Sequence, residues 1–218
     1  MKVSSQVVEA GVHAGYSFSK FTLDQNRLND QVFVKAGKPF SGFTFGIQVL
    51  VSPPKLQSTT SFRIVPSLLL EASVCRCGGN IELSLTTPNG VRTFNELSYL
   101  IYRGEYSAKF VAGIKGLQLM LGPMITNQFY TSVKIGASEG SQYAGDQFKA
   151  LALGYEFGVS TKLNRVHLSM RYNRIIGAYG KKTDLIPTAY KHFQIRFMLH
   201  YYFLQKNKGK NWGSIYWD

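Results

Sequence analysis

The sequence predicts an all-β protein: a closed antiparallel transmembrane β-barrel of eight strands, with ten as the alternative count. Three observations carry this. Apolar and polar residues alternate with period two through segments of roughly 10 to 13 residues, against about 5 to 6 in ordinary globular sheets. The polar side of these segments is mostly Gly, Ser, Thr and Gln rather than the lysine and glutamate of a water-facing sheet, which suits a crowded lumen. The connections alternate long and short, as they do in barrels with long external loops and short periplasmic turns. At 218 residues the chain is of single-domain size, and two cysteines and four histidines exclude a disulfide-stapled scaffold and a multi-cysteine zinc fold. No stretch approaches the ~18 uncharged apolar residues of a membrane helix.

Taken in order, the first segment places Val8, Ala10, Val12, Ala14, Tyr16 and Phe18 opposite Glu9, Gly11, His13, Gly15 and Ser17. The second sets Phe43, Phe45, Ile47, Val49 and Val51 against Gly42, Thr44, Gly46 and Gln48, and the third sets Phe62 to Val74 against Arg63, Ser67, Glu71 and Ser73. The fourth is short, with Leu97, Tyr99 and Ile101 read as lipid-facing and Glu96, Ser98 and Tyr102 as lumenal. The fifth runs from Leu117 to Ile125 and the sixth from Leu151 to Val159, with Glu156 inward. The seventh puts Val166, Leu168, Met170 and Tyr172 opposite His167, Ser169, Arg171 and Asn173. The eighth alternates from Phe193 to Phe203, with Arg196 and His200 inward. Ile81, Leu83 and Leu85 before Pro88-Asn89-Gly90, and Gln31 to Val34, read as an external extension or as the extra strands of the ten-stranded alternative.

Residues 1–204 are thus expected to form the barrel and residues 205–218 a basic and aromatic periplasmic tail. Met1 to Gln6 has no apolar signal-peptide core, so a signal peptide is expected to be absent from this chain. The net charge of +13 comes from 25 basic and 12 acidic residues. With both termini periplasmic, and with Arg103 to Gly116 read as a turn, the excess falls on the periplasmic rim, where lipid headgroups or an acidic partner would meet it. Aromatics cluster near strand ends, including Tyr16, Phe18, Phe21, Tyr179 and Tyr190 at one rim, as interfacial girdles would require.

The inward charges Glu9, His13, Arg63, Glu71, Glu96, Glu156, Arg171, Arg196 and His200 predict a lumen ion-pair network, because an isolated charge in such an interior is too costly. The tight turn at Leu163 sets a register that pairs Glu156 with Arg171. No catalytic residue is assigned. His167-x-Ser169, with Glu156 one strand away, resembles an acyl-transfer arrangement but points into the lumen. Cys75 and Cys77 are expected either to form a disulfide through a turn at Arg76 or to remain free thiols. No phosphate loop, zinc-protease motif or nucleic-acid-binding run is present, so no cofactor, no metal and no nucleic acid is expected.

Several short motifs resemble an outer-membrane β-barrel family of Bacteroidota that includes the PorT-type proteins. They are Gly11-x3-Gly15, Gly42-Phe43-x2-Gly46, Pro66 followed by Leu68-Leu69-Leu70-Glu71, Glu96-Leu97-Ser98-Tyr99-Leu100 and Gly122-Pro123. The resemblance spans about Val8 to Leu204, and the family usually has a proline where Ser98 stands. It implies the outer membrane of a Gram-negative cell, and some relatives look to be parts of secretion or gliding machinery. The resulting expectation is a non-enzymatic structural or scaffolding subunit of an envelope complex. A small pore, a lipid-modifying hydrolase and a soluble lipocalin-like binder are the alternatives. Expected partners are outer-membrane lipid and lipopolysaccharide, and other envelope proteins met through the periplasmic rim, the external loops or the tail residues Lys206, Lys208, Lys210, Trp212, Tyr216 and Trp217.

Overall fold

The computed structural model describes residues 7–23, 32–52, 65–86, 92–114, 117–136, 141–143, 147–163, 165–180 and 190–207. Ten strands occur among them: β1 (Val7–Leu23), β2 (Val32–Ala36), β3 (Phe40–Ser52), β4 (Val65–Thr86), β5 (Arg92–Ile114), β6 (Leu117–Ile135), β7 (Ser141–Tyr143), β8 (Leu151–Leu163), β9 (Val166–Ile175) and β10 (Tyr190–Asn207). Eight of them close a ring. The neighbours run β4-β3-β1-β10-β9-β8-β6-β5, and β5 returns to pair with β4. Every pairing is antiparallel, and the closing pair of first and last strands extends from Val7↔Asn207 to Leu23↔Tyr190. β2 and β7 are not staves of the ring: β2 lies on the outer half of β4 and β7 on the end of β6. Of the two extra strands in the ten-strand alternative, Gln31 to Val34 overlaps β2, which does not span, whereas Ile81, Leu83 and Leu85 are the upper end of β4 rather than a strand of their own; β7 falls in a stretch read as loop.

Alternation decides which side of each stave meets the lumen. On β3, Thr44, Gln48 and Leu50 are buried, while Phe43, Phe45 and Ile47 are 42%, 52% and 63% exposed. The same division holds on β1, β8, β9 and β10, where Phe18, Phe157, Met170, Phe197 and Leu199 look outward. An exposed apolar belt on every stave of a closed sheet is untenable in water, where contiguous apolar patches seldom exceed a few hundred Å². It is what a bilayer requires, since closure satisfies all ladder hydrogen bonds without an edge.

β5 departs from its predicted reading twice. It continues to Ile114, so the segment taken as the turn Arg103 to Gly116 is mostly strand, and Arg103, Glu105 and Lys109 are lumenal rather than periplasmic. Its outer end also has the opposite facing: Leu97, Tyr99 and Ile101 are buried inside, and Glu96 is exposed outside. The reason is height. At about 3.3 Å per residue and a tilt near 40°, strands as long as β4 and β5 rise roughly 50 to 55 Å, twice the ~25 Å of an apolar band. The upper half stands beyond the membrane, where the outer face is wet and the enclosed face is apolar. A bulge between Tyr102 and Arg103, opposite Phe129, marks the change, and it turns both Phe129 and Tyr130 outward.

The lumenal glycines allow close approach. A Cβ on Gly122 would lie 2.0 Å from the Ala108 carbonyl oxygen, so β5 and β6 pack there with no room for a side chain.

Candidate functional site

The enclosed volume is filled in tiers. The external tier is aromatic and has no exposed member: Phe21, Tyr99, Phe148, Tyr179 and Tyr190 pack with ring centroids 4.9 to 6.3 Å apart. Two loop segments enter the mouth to complete it, held by bridges from Gly180 to Phe148 and to Tyr190. Gly180 sits directly beneath the Tyr190 ring, where a Cβ would lie 1.9 Å from it. Tyr99 donates to Gln147 at 2.9 Å and Tyr179 to Gln128 at 3.1 Å, which ties the plug to the wall. Phe21, Tyr179 and Tyr190, expected in an interfacial girdle, are plug residues instead: the strands of Phe21 and Tyr190 have already passed the membrane at that height, and Tyr179 lies in a loop that folds into the mouth.

Below the plug lies a buried charged tier. Arg103 donates to Glu105 at 2.8 Å, Arg196 is bound to the other oxygen of Glu105, and Arg103 meets His192 at 3.3 Å. Deeper, Arg171 grips Glu71 with two parallel bonds of 2.7 and 2.9 Å and reaches Glu156 at 3.1 Å, while Lys109 bridges Glu71 and Glu156. Arg196 joins the two halves through Glu156 at 3.7 Å. Bidentate geometry and several donors per carboxylate are the conditions under which buried charges are tolerated.

The histidines are held within this network. His13 stands opposite His200, with ring centroids 5.6 Å apart, and shares a 2.8 Å hydrogen bond with Ser73. His200 Nε2 accepts from Arg171 at 3.1 Å, so its Nδ1–H donates to Gln48 at 2.6 Å. His13, Glu71 and His200 bring ligand atoms within 4.8 Å of one another. Glu71 already carries two cations, however, and an added metal ion would meet the full charges of Arg171 and Lys109.

At the end of the barrel opposite the plug Lys162 donates to Glu9 at 3.0 Å, beside an apolar tier of Leu50, Leu69, Val111, Met120 and Tyr202. The cavity between this tier and Arg171 has a volume of about 10 Å³, the space of one water.

Of the residues expected in the lumen network, Glu9, His13, Glu71, Glu156, Arg171, Arg196 and His200 are buried in it. Glu96 is not: it faces outward above the membrane, opposite Glu82. Arg63 lies outside the described residues, as do Lys208, Lys210, Trp212, Tyr216 and Trp217 and the side chain of Lys206. The backbone of β10 continues through Gln205, Lys206 and Asn207, so the barrel runs three residues beyond the expected boundary. The Glu156–Arg171 contact forms across a register two residues from the expected one, since Arg171 stands opposite Gly158 and Glu156 opposite Asn173. Arg171 spans the diagonal because Gly158 leaves the space. Arg103, Glu105 and Lys109 were missed, although Tyr106, Ala108, Phe110 and Ala112 alternate with them and carry the strand signal.

Ser169 pairs with His200 at 2.8 Å and accepts from Arg171 at 3.0 Å, whereas His167 packs against Tyr202. His167 and Ser169 therefore do not form the acyl-transfer arrangement that their spacing resembles. Cys75 and Cys77 are free, buried thiols, and Gln194 donates to Cys75 at 3.3 Å. The turn at Arg76 that a disulfide would need does not form, because β4 runs straight through it.

No protein-family model matches the sequence, and no curated protein matches it. Among solved structures the chain is similar to Neisserial surface protein A, at 14% identity and a TM-score of 0.45, over 88% of this chain and 96% of that one. It is also similar to Ail, the attachment invasion locus protein of Yersinia pestis, at 12% identity and 0.41, over 92% and 100%. A third likeness is to the outer membrane protease OmpT of Escherichia coli, at 7% and 0.39, over 91% and 97%. The closure itself is established by the register: this chain is an eight-stranded antiparallel β-barrel with a filled lumen and an apolar outer belt.

Proposed function

We propose that this barrel sits in the outer membrane of a Gram-negative cell and works as a non-enzymatic structural or scaffolding subunit of an envelope complex. The single observation that supports the reading is the filled lumen. Among the described residues an aromatic plug, a charged tier and an apolar tier succeed one another from mouth to base, and the cavity between the apolar tier and Arg171 holds about 10 Å³. Among the described residues such packing leaves neither a path for solute nor a hollow for a substrate, which puts the working surfaces on the outside, the rims and the sheet that rises above the membrane. That sheet, in the order β2-β4-β5-β6-β7, is an extended scaffold on which another protein can rest. The resemblance to PorT-type proteins points to protein secretion or gliding as the process served, with the basic and aromatic tail as a second contact.

The test is gentle extraction from native membranes, with affinity capture of the full chain and identification of what remains bound, beside planar-bilayer recordings of the purified barrel. A stable stoichiometric envelope partner and silent bilayers are expected. Steady ionic conductance, or a barrel that purifies alone under crosslinking, would overturn the reading.

A further inference from the structure

We propose that Arg76 and the aromatic side chains around it form a binding site for the phosphate of an acylated saccharide headgroup in the outer leaflet. The inference deepens the membrane reading above and rests on it. On the outward face of β4 the side chains Pro66, Leu68, Leu70, Ala72 and Val74 are uncharged, and Arg76 is the first charge. Ten residues of tilted strand rise about 25 Å, the height of an apolar band, so Arg76 stands where hydrocarbon gives way to headgroups. The register places it in one outward row with Tyr16, Phe43, Tyr102 and Tyr130, on five adjacent staves. Four aromatics mark the interfacial girdle, and a single cation interrupts them.

The surroundings form a pocket rather than a bare surface. Tyr16, Phe40, Phe43, Arg76 and Asn80 line a concavity of about 420 Å³ that opens outward. The guanidinium lies 5.6 Å from the Phe40 ring centroid and 5.9 Å from that of Phe43, so the rings position its plane and leave its edge for a ligand. Arg76 Nε and Asn80 Oδ1 are buried without hydrogen-bond partners, and among the described residues Arg76 has no carboxylate partner. This contrasts with the lumen, where every arginine described is paired. A phosphate would accept a bidentate pair from Arg76 and, with the amide of Asn80 turned, a further bond from it, while acyl chains lie along the Leu68 and Leu70 face.

The full chain is reconstituted into phosphatidylcholine vesicles doped with bis-phosphorylated lipid A or with its dephosphorylated form, and the lipid A retained per barrel in mild detergent is counted by native mass spectrometry. Protease protection of the same vesicles reports insertion. Arg76→Gln is expected to lower retention of the phosphorylated lipid about tenfold, the scale of lost hydrogen bonds to a charged group. Arg76→Lys should fall between, and dephosphorylated lipid A should bind wild type and Arg76→Gln alike. Equal retention of phosphorylated lipid A by inserted wild type and inserted Arg76→Gln would overturn the site while leaving the membrane reading intact. Displacement by millimolar inorganic phosphate would overturn the lipid in favour of a soluble anion. Failure of wild type to insert would overturn the membrane reading and the site with it.

Discussion

Neutralising Glu71 should damage this protein more than removing the arginine that grips it. Among the described residues the buried tier holds four cations, Arg103, Lys109, Arg171 and Arg196, against three carboxylates, Glu71, Glu105 and Glu156. Changing Arg171 to methionine leaves three of each, with Lys109 still bridging Glu71 and Glu156. Changing Glu71 to glutamine keeps the shape but leaves four cations facing two carboxylates. Breaking a buried pair by deleting one partner costs about 3–5 kcal/mol. The charge count puts Arg171→Met near 3 kcal/mol and Glu71→Gln near 5 kcal/mol on that scale. Since the two side chains share bonds of 2.7 and 2.9 Å, the double variant should fall short of the sum of the singles by about 1–3 kcal/mol. Reversible urea unfolding in small vesicles, followed by far-ultraviolet circular dichroism and by heat-modifiable gel mobility, measures all three. A Glu71→Gln cost equal to or below that of Arg171→Met, or additive losses in the double variant, would refute the argument from charge balance.

Shaving the plug should not open a channel: Phe148→Ala combined with Tyr190→Ala removes two rings, yet bilayers should stay silent because the Arg103–Glu105–Arg196 tier lies beneath. Ser169→Ala should cost about 1–2 kcal/mol of stability through its bonds to His200 and Arg171, with no change in phospholipid turnover by the membranes that carry it. A thiol reagent should leave the folded barrel unlabelled and modify both Cys75 and Cys77 once the chain is denatured; rapid labelling of the native protein would contradict their burial. Gly122→Ala should destabilise by about 1–3 kcal/mol, read as a lower urea midpoint, because β6 must move away from Ala108 to admit a methyl group.

The staves were legible where one side meets lipid and the other a polar interior, because that contrast writes period two into the sequence. Seven of the eight predicted segments have the facing expected of them. The upper half of β5 does not, and the cause is physical: beyond the bilayer the apolar side turns inward, so Leu97, Tyr99 and Ile101 carry the same pattern with the opposite meaning. Its lower half reads as a turn because Arg103, Glu105 and Lys109 look like loop charges until the aromatic and small residues between them are counted as a wall. The lumen charges were readable as a group, whereas their pairing was not. A diagonal reach such as that of Arg171 to Glu156 depends on the gap at Gly158 and on a register that a turn of unknown geometry leaves open by two residues. The plug was invisible for a similar reason: Phe148 and Tyr179 lie in loops, and no periodicity reports that a loop folds back into the mouth.

The seam between the two ends of the chain has a consequence for assembly. Val7 stands opposite Asn207 and Leu23 opposite Tyr190, so the contact that seals the cylinder joins partners separated by nearly the whole polypeptide. Until the final stave has been made and delivered, the first has an unsatisfied margin and the greasy exterior has no lipid to rest in. Such a molecule cannot complete itself while it is still being synthesised, and in transit it is prone to stick to its own kind. Clipping either terminus inside the seam would therefore unlatch the whole cylinder rather than trim its edge.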